Sequence, residues 1–146
     1  MPRTRTPKPL IPKPTAGFDI NTRLMNETAV IQLVDPLNAD CLLDAHITIA
    51  APNSPEARAA DEAFPFKFTT DGKPDMTPAE FEAVSTEHAI AVTKAWDLLD
   101  GTAPLPCTPE TVRRVYTNPQ TRWIGGQVRS KQLSLAGFFT TPKGNS

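Results

Sequence analysis

Residues 96–123, WDLLDGTAPLPCTPETVRRVYTNPQTRW, read as the end of one helix, a proline-rich hinge, a short capped helix and the start of another. Thr108, Pro109 and Glu110 supply a capping hydroxyl, a proline where no amide partner is lost, and a carboxylate in the first turn. They open a short helix that runs through Tyr116. Asn118 and Pro119 repeat the pattern for a last helix carrying Trp123, Ile124, Val128 and Leu135. Gly125 and Gly126 each weaken that helix by about 1 kcal/mol relative to alanine, which points either to a kink or to close approach of another backbone.

Upstream, TPAE at 77–80 forms a capping box: Thr77 as cap, Pro78 at the first helical position, and Glu80 reaching back. Phe81, Val84, His88, Val92, Ala95 and Leu99 then recur at steps of three and four, with Trp96 beside Leu99. One apolar stripe follows, and Gly101 is a plausible end cap. A histidine on such a stripe, here His88, is ordinarily packed or hydrogen-bonded. Ser54, Pro55 and Glu56 start a shorter helix that Pro65 stops near Phe64. FPFKF after it places Phe64, Phe66 and Phe68 on alternate positions, either buried in the core or left as a sticky edge.

TAVIQLV and AHITIA, rich in Val, Ile and Thr and separated by the turn formers of DPLNADCLLD, read as a hairpin with strands at 28–34 and 43–50. Two strands alone are marginal in water, so a helix must cover one face. The fold class expected is α+β: a small N-terminal β-hairpin packed on a mainly α-helical C-terminal part. Three regions follow: a proline-rich basic arm at 1–17, a single α+β domain at 18–137, and a flexible C-terminal tail at 138–146.

Composition narrows the function. No apolar run nears the roughly 20 residues needed to cross a bilayer, and residues 1–17 lack a signal-type apolar segment, so the expected location is the cytoplasm. Cys41 and Cys107 form no CxxC pair and read as reduced thiols, with two histidines in all. No metal or cofactor is expected. Carboxylates are numerous, but no catalytic set, phosphate-binding glycine loop or nucleophile elbow is visible, so the chain reads as non-enzymatic.

Charge is blocked along the chain: +4 over residues 1–17, −11 over 18–110 and +6 over 111–146. Such blocks favour contacts between copies or with an oppositely charged partner; alternatively the basic end folds back on the acidic middle. Nucleic acid is not the expected partner, since net charge is −1 and no recognition motif or aromatic stacking platform accompanies the basic ends.

The order of a β-rich start, the small-residue helix opened by NSPEARAA, a helix ending in Trp96, and PLPCTPETVRRVYTNPQTRWIGGQV resembles tail assembly chaperones of long-tailed, siphovirus-type bacteriophages. Proteins of that family often show a "G.PLP.TPEN" loop, a helix, a "DP" or "NP" step and a final amphipathic helix. This chain has Thr111 where Asn is frequent, and its glycine pair departs from a clean helix.

The resemblance implies a chaperone in the host cytoplasm that coats the tape-measure protein and yields it to polymerising tail-tube protein. Phe81, Val84, Trp96, Trp123, Ile124, Phe138 and Phe139 are the expected interface or core residues, since aromatic anchors dominate both. It also implies ribosomal frameshifting near the stop codon, for which codons of Thr141, Pro142 and Lys143 can spell C CCA AAG. The alternative is a virion structural protein (a connector, tail or capsid-stabilising component) with an extended N-terminal arm.

Overall fold

The computed structural model describes residues 17–139 and has an α+β fold. The proline-rich arm, apart from Gly17, and residues 140–146, with the slippage codons, lie outside the described residues. Strands β1 (Thr28–Asp35) and β2 (Asn38–Ala50) form the expected hairpin. Its connection is shorter than expected: Asp35 pairs with Asn38, leaving a two-residue turn in which Asp35 Oδ1 accepts from the Leu37 amide at 2.8 Å. Residues 38–42 are exposed yet still strand: Asn38 and Leu42 pair with Asp35 and Val34, and the three residues between them bulge from the ladder.

Helices α1 (Pro55–Ala63) and α2 (Pro78–Val92) begin where Ser54 and Thr77 cap them. At Thr77 both halves of the capping box form: Thr77 Oγ1 accepts from the Glu80 amide at 3.1 Å, and Glu80 Oε1 from the Thr77 amide at 2.8 Å. Helix α3 (Pro109–Thr117) is capped by Thr108. Helix α4 (Arg122–Gln132) starts four residues after its expected cap, Asn118. Asn118 instead ends α3, its side chain accepting from the Gln120 amide, and the residue preceding α4, Thr121, makes no capping bond. Leu135 lies past α4, in the 3-10 turn Leu135–Phe138.

The helix expected to run to Leu99 stops at Val92. Thr93–Trp96 form β3, which pairs antiparallel with β2 to give the order β1-β2-β3. Two forces end the helix: β2 has a free edge, and Thr93 Oγ1 bonds both the Ala89 carbonyl and the Tyr116 hydroxyl at 2.8 Å. Trp96 consequently sits opposite Ile47 in the sheet, not on a helical stripe. Gly101, expected as a helix cap, takes φ +65° in the turn joining the two-residue strands β4 (Leu99–Asp100) and β5 (Ala103–Pro104).

The core lies between sheet and helices. Ile31 and Leu33 of β1 and Ile47 and Ile49 of β2 alternate inward, meeting Ala89 and Val92 of α2, Val112, Val115 and Tyr116 of α3, and Val128 of α4. β1 is an outer strand, and Val34, where its register with β2 shifts, is closed off by Gln127 of α4. The Gln127 side-chain amide accepts from the Val34 N–H and donates to the Val34 carbonyl, both at 2.8 Å, as a neighbouring strand would.

Phe138 and Phe139, expected in the tail, belong to the fold. Phe138 is 1% exposed and joins the core; its carbonyl accepts from the Asn26 amide at 2.7 Å, and Phe139 bridges Met25. A large apolar side chain so near the polar end of the chain finds burial beside the start of β1.

Candidate functional site

Packed beside each other, α2 and α4 leave a furrow between them. Glu82 and Thr86 of α2 form one wall and Trp123, Gly126, Ser130 and Leu133 the other, around a space of about 570 Å³. A second depression, about 180 Å³, lies between Phe66, His88 and Asp61 on one side and Arg129 and Leu133 on the other. Arg129 and Leu133 line both, so the two hollows meet at α4. Leu133 is 77% exposed there, an isobutyl group held in water.

The glycine pair has two different surroundings. A Cβ on Gly125 would stand 2.9 Å from Tyr116 Cγ, so this glycine lets α3 and α4 approach. A Cβ on Gly126 would meet nothing within 4 Å, and its open side faces the larger hollow.

Charges around the furrow are mostly committed. Arg122 Nη1 lies 3.5 Å from Glu82, Arg113 grips Glu87 through both guanidinium nitrogens, one at 2.7 Å, and His88 Nδ1 stands 3.4 Å from Asp61. Part of the basic C-terminal block is thereby folded back on the acidic middle. The hydrogen bond from Arg113 holds the Glu87 carboxyl below its usual range. Arg129 is different: among the described residues its guanidinium forms no hydrogen bond or ion pair, and burial lowers its pKa with nothing opposing.

The expected interface residues are distributed over the molecule. Phe81 is 38% exposed and packs its ring on Phe66 at 5.1 Å, which in turn meets His88 at 4.9 Å, so an aromatic patch flanks the smaller hollow. Phe64 and Phe68 are exposed beside it in sequence, the edge-like alternative for FPFKF. Trp123 lines the furrow while partly packed on the core. Val84 and Ile124 are half-buried, Ile124 against the core.

Trp96 is a packing residue, donating from Nε1 to the Leu105 carbonyl at 2.7 Å with its ring 6.3 Å from Tyr116. Phe138 belongs to the core and Phe139 is half-buried against Met25. Arg129, Leu133 and Phe66 were missing from the expected set. A half-buried arginine and an exposed leucine show no sequence signal until α4 is placed against α2.

The His88 Nε2 is bonded to the Phe64 carbonyl at 2.7 Å, and the neighbouring Ser85 hydroxyl is buried without a hydrogen-bond partner among the described residues. Among the described residues no group of three or more His, Cys, Asp or Glu side chains is placed to hold a metal ion, and no helix is long and apolar enough to cross a membrane. Comparison with protein-family models, curated proteins and solved structures yields no match, so the tail-assembly resemblance stands on its quoted motifs alone.

Proposed function

We propose that this chain is a non-enzymatic tail assembly chaperone that binds helical segments of a tape-measure protein and releases them to tail-tube protein. The observation that carries the reading is the α2/α4 furrow lined by Trp123 and Leu133, which adjoins at Arg129 and Leu133 the smaller hollow with its Phe66–Phe81 patch. At 1.5 Å per residue, the 11 residues of α4 offer a wall about 16 Å long, enough for about three turns of a docked helix. Grooves of this kind hold amphipathic helices through a few apolar anchors, and a shallow, solvent-open one releases them readily. The acidic outer residues of α1 and α2 keep such a complex in solution.

Co-expression with a tape-measure protein tests this. The tape-measure protein is expected to stay soluble with the intact chain and to precipitate without it; precipitation in both cases sinks the proposal. Mass spectrometry of purified particles separates the alternative, since a chaperone is missing from mature virions and a structural component is stoichiometric.

A further inference from the structure

Gly126 weakens α4 without any compensating contact inside the fold, whereas its neighbour Gly125 is required by the Tyr116 ring. One turn further on the same helix, Arg129 lies half-buried at the junction of the two hollows, its guanidinium without a hydrogen bond or ion pair among the described residues. The nearby carboxylates are engaged: Glu82 faces Arg122 and Asp61 faces His88. A missing side chain and an unanswered cation on one helix face describe the shape and charge of what covers it.

We infer that the furrow receives an amphipathic helix bearing one carboxylate within its apolar face, the helix backbone crossing over Gly126 and the carboxylate pairing with Arg129. The inference rests on the furrow being the binding site and specifies the class of its partner. Gly126 lets the two backbones come closer than side chains elsewhere on α4 permit, as small residues do at close helix crossings. Arg129, already partly stripped of water, gains a charge-assisted bond at less further desolvation than a fully solvated cation would need. Leu133 and Trp123 supply apolar contact on either side. An acidic helix without an apolar face lacks the anchors, and an apolar helix without a carboxylate leaves Arg129 buried and unpaired.

The test uses the full chain and synthetic helical peptides of about 20 residues, with a leucine stripe interrupted at its centre by Glu, Gln or Lys. Affinity is measured by calorimetry, and protein stability by thermal melting. The Glu peptide is expected to bind about tenfold more tightly than the Gln peptide, the discrimination of one charge-assisted hydrogen bond, and the Lys peptide most weakly. Arg129→Gln should abolish the preference for Glu. Gly126→Leu should weaken the Glu peptide by about tenfold or more while the melting temperature stays level or rises, because the new side chain fills the furrow and not the core.

Equal affinity for the Glu and Gln peptides overturns the carboxylate claim. Undiminished binding by Gly126→Leu overturns the backbone crossing, and no binding of any peptide overturns both. These outcomes are independent of the tail assignment. Peptide discrimination without rescue of a tape-measure protein leaves the helix site standing and removes the tail role; rescue without discrimination does the reverse.

Discussion

Gly125 and Gly126 are adjacent in sequence and opposite in what they permit. At Gly125 an added methyl meets Cγ and Cβ of Tyr116, the fixed root of a side chain that is 3% exposed and tied by its hydroxyl to Thr93. The ring cannot swing aside, so Gly125→Ala is expected to destabilise the fold by about 1–3 kcal/mol despite the gain in helix propensity. Urea denaturation checks this, and a variant more stable than the parent would show that α3 and α4 do not pack this closely. From the sequence the glycine pair is visible as a weak point in a helix, with a neighbouring backbone as one explanation. Which glycine meets that neighbour depends on the rotation of α4 about its axis, which no local pattern encodes. The same rotation buries half of Arg129 and exposes Leu133.

At the scale of elements, the starts of α1, α2 and α3 were legible, whereas the start of α4 and the end of α2 were not. Ser54, Thr77 and Thr108 each precede a proline and bond the amide three residues on, a signal complete within four residues. The end of α2 turns on a partner far away in sequence. Once β2 offers a free edge, backbone pairing draws Thr93–Trp96 out of an apolar pattern that would otherwise continue at helical spacing.

Asp97 locks that switch. Its Oδ1 accepts from the His46 backbone amide at 2.6 Å and its Oδ2 lies 2.7 Å from His46 Nδ1, and these bonds, the backbone one foremost, hold its carboxyl below the usual range. Folding lowers this pKa, so the ionised group stabilises the sheet above the ordinary carboxylate value of about 4. The contribution is lost as pH falls through the lowered value. Asp97→Asn is therefore expected to have the lower urea midpoint near neutral pH and to converge with the parent in acid. Midpoints that differ equally at both ends of the range would show that ionisation of Asp97 is not what stabilises β3.

At the scale of the whole molecule, the last described turn closes the fold. Phe138 fills the core beside the start of β1, and its carbonyl holds the Asn26 amide. Phe138→Ala is expected to cost about 3–5 kcal/mol, a large part of the stability of a domain this size. Chemical denaturation of the full chain measures it; a loss under about 1 kcal/mol would place Phe138 at the periphery of the core. The charge blocks resolve in part at this scale too, with Arg113 and Arg122 meeting acids of α2. Exposed pairs of that kind contribute little each, so the fold does not depend on them.

The sequence by itself determined the α+β class, the hairpin and the three proline-capped helix starts, because alternation and caps are written within a few neighbouring residues. Only the tertiary structure decided that Trp96 is a strand residue, that Phe138 is core and not tail, and that Gly126, Arg129 and Leu133 share one open furrow. Each of those depends on which distant backbone or helix face arrives alongside. Long-range packing and pairing set that, and they override local propensity wherever a free strand edge or an unfilled core offers more burial.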